Sequence, residues 1–125
     1  MKREYKNESG QLHRTDGPAV ERSDGGKEWW INGLRHREDD PAVEWDDDYK
    51  EWWINGLRHR TDGPAVEYSD GGKEWFINGN FHREDGPAIE YSSGSKYWYL
   101  NGKGYTEEEY QQKLIKLKLK RLKNL

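Results

Sequence analysis

His59-Arg60-Thr61-Asp62-Gly63-Pro64-Ala65-Val66-Glu67-Tyr68-Ser69-Asp70-Gly71-Gly72-Lys73-Glu74-Trp75-Phe76-Ile77-Asn78-Gly79 is the stretch whose reading decides the fold. Side chains alternate across a strand, so Val66 and Tyr68 fall on one face and Ala65 and Glu67 on the other. Ser69-Asp70-Gly71-Gly72 is rich in residues that accept positive φ and reads as a turn. Lys73 to Ile77 then returns as a second strand, and Asn78-Gly79 is the favoured pair for a two-residue type I′ hairpin.

The same pattern recurs on both sides with a strict 23-residue period. His13, His36, His59 and His82 each open a His-Arg-x-Asp-x-Pro-Ala segment, and Trp29, Trp52, Trp75 and Trp98 keep the same spacing. Asn-Gly follows at Asn32-Gly33, Asn55-Gly56, Asn78-Gly79 and Asn101-Gly102, with no insertion anywhere. A fixed period means that each unit stacks on the next in the same way. The sequence therefore predicts a mainly β protein, an elongated antiparallel meander of about four 23-residue β-hairpin repeats with a C-terminal α-helix. One repeat domain over 1–125 is expected, with 1–11 as a degenerate N-terminal cap, 12–102 as four hairpin repeats and 103–125 as a C-terminal capping helix. Lys6 and Asn7 stand where later units carry their aromatic pair, which makes the first segment a polar half-unit.

These motifs resemble the variant MORN-type repeats of bacterial, phage and large-virus proteins, over Gly10 to Gly102. The resemblance implies β-hairpin units in an elongated sheet. It departs from the standard pattern by placing Arg after His where Gly is usual.

After Gly102 the His-Arg pair is replaced by Tyr105-Thr106, and Thr106-Glu107-Glu108-Glu109 has the spacing of a helix capping box. Tyr110, Leu114, Leu117, Leu122 and Leu125 lie on one broad helical side, extended by Ile115 and Leu119, with Lys113, Lys116, Lys120 and Lys123 opposite. Lys116 to Lys120 also alternates like a strand, but the capping box and unbranched residues favour helix. Three roles are open: a cap on the last hairpin, a dimer contact through Tyr110, Leu114, Leu117 and Leu122, and a basic helix that meets a membrane or an anionic polymer.

Composition bounds the function. Hydrophobic residues make up 31% of the chain and charged residues 36%, yet there are seven Trp and eight Tyr, so aromatics are expected to supply much of the core. The net charge of −3 hides a tail, residues 106–125, that carries +3 and a body that carries −6. An acidic body argues against nonspecific nucleic-acid binding, which needs a basic surface, and leaves it open only for the helix. Cysteine is absent, so no disulfide or thiolate metal site is expected. The amino-terminal residues hold no apolar run of signal-peptide type, and the expectation is a cytoplasmic protein without a membrane span.

The His-Arg-x-Asp segments hold residue types suited to acid–base chemistry. Equivalent positions in neighbouring repeats lie two strands apart, about 9.5 Å, whereas ligands of one metal sit within about 2 Å of it. A constellation copied in every unit reads as a rule of the fold, so no metal, cofactor or catalytic residue is expected. In that reading Asp16, Asp39, Asp62 and Asp85 hold the turn before Pro by accepting backbone N–H bonds, while His and Arg stack on Trp or pair with a neighbouring Glu. The functional alternative is a ladder of donors, with Arg37 and Arg60 meeting an elongated anionic or acidic partner.

Adjacent strand residues face opposite sides, so the aromatic pairs put rings on both. The second member varies through Trp30, Trp53, Phe76 and Tyr99, and this series is expected to be the more exposed and to form a recognition strip. The alternative makes it the other half of the core. The second unit is distinct, with Asp40 in place of Gly before Pro and Asp46-Asp47-Asp48-Tyr49 in place of the Gly-containing turn, a weak cation site or a solvated acidic turn. No nucleophile elbow, phosphate loop or EF-hand spacing occurs. The leading expectation is a non-enzymatic module that binds a protein partner through its sheet face. The alternatives are a phage- or virus-encoded inhibitor that occupies a host nuclease or defence effector, and a binder of a small anionic or nucleotide ligand. A homodimer is compatible with each.

Overall fold

A computed structural model describes residues 1–45 and 48–124. Ten strands form one open antiparallel sheet: β1 (Lys2–Glu4), β2 (Val20–Arg22), β3 (Lys27–Glu28), β6 (Val43–Glu44), β7 (Lys50–Glu51), β10 (Val66–Glu67), β11 (Lys73–Glu74), β14 (Ile89–Glu90), β15 (Lys96–Leu100) and β16 (Lys103–Tyr105), paired in that order. Three tight hairpins, β4–β5 (Trp30–Ile31, Leu34–Arg35), β8–β9 (Trp53–Ile54, Leu57–Arg58) and β12–β13 (Phe76–Ile77, Asn80–Phe81), form a second row beside it. Helix α1 (Glu107–Lys123) follows β16.

The first three repeats thus split the returning strand that the sequence predicts as continuous, as over Lys73 to Ile77, whereas in the fourth β15 stays whole and pairs with both β14 and β16. The returning strand breaks at its first Trp. The Trp52 N–H donates to Ala65 O in the large sheet (2.7 Å), while Trp52 O accepts from His59 N on the other side (3.1 Å), and Trp29 and Trp75 do the same in their units. The chain turns out of the sheet at that residue and closes a small hairpin around Asn-Gly. Both turn residues take positive φ, 50° at Asn78 and 83° at Gly79, as a type I′ turn requires. Successive tight hairpins are tied to each other, with Gly56 N donating to Arg35 O and Gly79 N to Arg58 O. Those glycines also receive the previous hairpin, since Leu57 Cδ2 lies 3.2 Å from where a Cβ on Gly79 would be.

Strand register sorts the side chains of the large sheet into rows. On one face Val20, Glu28, Val43, Glu51, Val66, Glu74, Ile89 and Tyr97 stand side by side. On the other face Glu21, Lys27, Glu44, Lys50, Glu67, Lys73, Glu90 and Lys96 alternate in charge, a pattern that supports cross-strand pairing. In the next row on this charged face the carbonyls of Ala42, Ala65 and Ala88 accept from Trp29, Trp52 and Trp75 and that of Ala19 from Tyr5, and all four alanines are at 0% exposure.

Within the sheet the deepest residues are therefore small aliphatics, not the tryptophans, which are all half-buried or exposed. Trp is too large to be enclosed by a single layer, so it roofs the Ala and Val rows instead of joining them. The amino-terminal half-unit forms a hairpin of its own, with a Lys6–Leu12 bridge and Gly10 at φ 83°, and its Asn7 Oδ1 accepts from the backbone of Ser9 and Gln11.

Candidate functional site

The His-Arg-x-Asp segments are knots that join neighbouring hairpins. Each His Nδ1 accepts the N–H of an Asn one repeat onward, at 2.9 Å in all four copies: His13 from Asn32, His36 from Asn55, His59 from Asn78 and His82 from Asn101. The imidazole replaces a backbone acceptor in the second row. Each following Arg places its guanidinium over an aromatic ring: Arg14 over Tyr5 (4.0 Å), Arg37 over Trp29 (3.8 Å), Arg60 over Trp52 and Arg83 over Trp75 (3.7 Å each). Arg60 also donates to Asp62 (3.0 Å), to Pro64 O (3.0 Å) and to Glu67 (3.2 Å). The donors of Arg37 and Arg60 are thus largely committed inside the protein, as the stacking reading anticipated.

The aspartates act differently from expectation. Asp16, Asp62 and Asp85 accept from the Arg side chain two residues earlier, not from backbone N–H groups. The guanidinium reaches them because it is pressed against the glycine before Pro: a Cβ at Gly63 or Gly86 would sit 3.0 or 2.9 Å from the Arg Cζ. In the second unit that glycine is Asp40. Asp39 there is at φ 68°, and Arg37 meets Asp40 at 3.8 Å in place of Asp39. Of the acidic turn that follows, Asp46 and Asp47 lie outside the described residues. Among the described residues, no group of three His, Asp or Glu side chains is placed to hold a metal.

The opposite face is built from aromatics and buried acids. Trp30, Trp53, Phe76 and Tyr99 share it with the Val–Glu row, and across each tight turn they face Arg35, Arg58, Phe81 and Gly104. The result is a ladder. Arg35 lies 5.0 Å from the Trp30 ring and 5.2 Å from Trp53, Arg58 lies 5.2 Å from Trp53 and 5.5 Å from Phe76, and Phe81 continues it between Phe76 (4.3 Å) and Tyr99 (5.0 Å). This series is not more exposed than the first. Trp30, Trp53 and Tyr99 are half-buried like Trp29, Trp52, Trp75 and Trp98, and Phe76 is buried at 6% exposure. The physical reason is the intercalated Arg and Phe, which flank Trp53 and Phe76 on two sides and Trp30 and Tyr99 on one. Cation–π contact offsets the loss of a hydrogen bond at the buried Arg35 and Arg58 Nε atoms.

Under the ladder lie Glu28, Glu51 and Glu74, only 3%, 5% and 6% exposed. Glu28 accepts from Arg22 (2.7 Å) and Trp30 Nε1 (3.0 Å), with Arg35 at 3.6 Å; burial opposes its charge, but these donors hold its carboxyl below the usual range. Glu51 accepts from Trp53 Nε1 (2.6 Å) and from the Tyr49 hydroxyl, with Arg58 at 3.7 Å. Burial and then Glu51 push the Tyr49 phenol up. Glu74 accepts from the Tyr68 hydroxyl (3.0 Å), and burial with the Glu74 charge pushes that phenol up to about 12.

Exposed rings stand at the turn end of the same face. Trp45, Tyr91 and Tyr97 are 46%, 42% and 48% exposed, and Trp45 stacks on Tyr49 (4.8 Å), which meets Tyr68 edge-on (5.5 Å). None of the three is among the binding residues expected from the sequence. For Trp45 and Tyr91 the signal is the residue after each Pro-Ala-Val/Ile-Glu, which runs Arg22, Trp45, Tyr68, Tyr91 on the Val face, and for Tyr97 it is the aromatic at the position of Glu28, Glu51 and Glu74.

Helix α1 caps the last hairpin. Thr106 and Glu109 form both halves of the capping box, Tyr110 and Leu114 are buried against Leu100, and the Tyr110 hydroxyl donates to Arg83 O at 2.5 Å. Arg121 makes a bidentate pair with Glu84 (2.6 Å for each bond), which pulls that carboxyl down to about 2 with help from His82. The apolar side divides, however. Leu117 is half-buried, while Ile115, Leu119 and Leu122 are 53%, 53% and 64% exposed, because the pivot at Tyr110 and the Arg121–Glu84 clamp turn them away from the sheet. Between this helix and the third knot is a cleft of about 870 Å³ lined by Arg60, Trp75, His82, Arg83, Lys118 and Arg121 among others. Among the described residues no helix is long and apolar enough to cross a membrane.

No protein-family model matches the chain, and neither the curated proteins nor the solved structures include a match.

Proposed function

We propose that the protein is a non-enzymatic repeat module of MORN type that binds a protein partner through the aromatic face of its sheet. The observation that carries this reading is the row of exposed rings, Trp45 on one side and the Tyr91–Tyr97 pair on the other, on the same face of an open sheet as the half-buried Trp30, Trp53 and Tyr99. Large rings on a rigid platform give contact area with little entropy to lose, and interface energy concentrates in such residues. The Arg face is already engaged by its own tryptophans and carboxylates, so it offers fewer free donors. An inhibitor of a host nuclease or defence effector is the special case in which the partner is that protein.

The test is affinity capture with wild type and with the variant Trp45→Ser/Tyr91→Ser/Tyr97→Ser, whose changes are at exposed positions. One stoichiometric partner retained by wild type and lost by a variant of unchanged melting temperature supports the reading. Equal retention, or no partner with either, counts against it. A second reading, a small anionic or nucleotide ligand, is favoured by the cleft beside Arg60, Arg83 and Lys118. A rise in melting temperature on adding nucleotide would support it through mass action on the native state.

A further inference from the structure

The buried glutamates are three copies of one position, and they differ in how their charge is met. Glu28 has Arg22 on its turn side and Arg35 on its hairpin side. Glu51 keeps Arg58, and on its turn side the ring of Tyr49 fills the space between Trp45 and Tyr68. At Glu74 both cations are gone. The position of Arg35 and Arg58 is Phe81, stacked on Phe76, and the position of Trp30 and Trp53 is Phe76, which has no indole N–H. The position of Tyr49 is Gly72, so no ring stands between Tyr68 and Tyr91. The nearest neighbours of a Cβ built there are Asp70 Oδ1 (3.2 Å), Tyr68 Cδ2 (3.3 Å) and Glu90 O (3.6 Å), whereas at the equivalent Gly26 the indole of Trp45 closes to 3.4 Å. Among the described residues no ion pair reaches Glu74, and the groups that meet it are phenols, the Tyr68 hydroxyl at 3.0 Å and the Tyr91 hydroxyl beside it.

A carboxylate 6% exposed is costly to leave without a cation, and the two preceding copies supply one. We propose that Glu74 is the seat for a cationic side chain of the partner, an arginine, inserted between Tyr68 and Tyr91. This deepens the partner-binding reading and rests on it. The chain displays the recognition twice within itself: Arg35 and Arg58 each lie between two aromatic rings with a buried glutamate within 3.6 or 3.7 Å. A guanidinium suits such a slot better than an ammonium, because its planar face stacks while its edge reaches the carboxylate. Partner specificity then comes from the one unit whose internal cation is missing.

The experiment uses the intact chain and a small probe, so that it stands apart from the search for a partner. N-acetyl-arginine amide is titrated while the ring resonances of Tyr68 and Tyr91 are followed by NMR, with the uncharged N-acetyl-citrulline amide as the comparison. The arginine derivative should bind about tenfold more tightly than citrulline, and Glu74→Gln should remove that preference. Gly72→Tyr, which copies the filler of the preceding unit, should remove binding while the protein remains folded. Absence of a saturable shift, equal binding of the two probes, or undiminished binding in folded Gly72→Tyr protein would each overturn the proposal. Loss of partner capture in the exposed-ring variant, together with no response to the arginine probe, would leave the face and refute the seat.

Discussion

Replacing Asp40 by Gly should stabilise the protein, although it removes a side chain. In the other three units the residue before Pro is glycine, and the Arg guanidinium lies where its Cβ would be, at 2.9 to 3.0 Å. The second unit has a Cβ there and pays with Asp39 at φ 68° and no Arg37–Asp39 hydrogen bond. Returning Asp39 to the ordinary region recovers about 1 kcal/mol. The restored, partly exposed ion pair adds about 0.5 kcal/mol, as surface pairs do. The greater freedom of glycine in the unfolded chain takes back about 0.5–1 kcal/mol. The net gain is about 0.5–1 kcal/mol, which for a domain of this size raises the melting temperature by about 2–5 °C. Thermal and urea unfolding of Asp40→Gly against wild type measures it, and Gly63→Asp in the third unit should show the reverse. An unchanged or lower melting temperature for Asp40→Gly, with Gly63→Asp neutral, would refute the idea that the guanidinium dictates this glycine.

Arg60→Ala should cost about 2 kcal/mol, since it removes the stack on Trp52 and leaves Pro64 O and Glu67 without their donor; urea unfolding reads the loss. His59→Ala should cost about 1–2 kcal/mol because Asn78 N loses its acceptor, with amide exchange at Asn78 accelerated before that of other hairpins. Docking of α1 should depend on acid through Glu84. Its carboxyl is held at about 2, below the usual range near 4.5, so the contribution is complete above that range and is lost as pH falls from about 4.5 through 2. Near-ultraviolet circular dichroism of the aromatic contacts against pH should show this step, and Glu84→Gln should remove it.

The repeat, both turn types and the helix cap were legible because each depends on local chemistry. Asn-Gly takes positive φ in any context, and Thr106 with Glu109 satisfies the first helical N–H groups without tertiary help. The break at Trp29, Trp52 and Trp75 was not legible, since it arises where the N–H and C=O of one residue are claimed by two different partners. Alternation also gave the face of Trp30, Trp53, Phe76 and Tyr99 but not their cover. Their exposure depends on Arg35, Arg58 and Phe81, which sit across the turn. That pairing left a trace: Trp30 and Trp53 face Arg, whereas Phe76 faces Phe81, so the two positions change together. Helical periodicity likewise grouped Leu117 and Leu122 with Tyr110 and Leu114, but the Arg121–Glu84 clamp fixes a rotation that exposes Leu122.

The molecule has an Arg–Trp side that holds the repeats together and an aromatic–Glu side on which we propose that the partner docks. Hydroxyl-radical footprinting of the free and partner-bound protein tests that division most directly. Protection on binding should concentrate at Trp45, Tyr91 and Tyr97, with Trp29, Trp52 and Trp75 unchanged. Protection centred on Trp29, Trp52 and Trp75 with the three exposed rings unaltered would place the partner on the Arg side and contradict it.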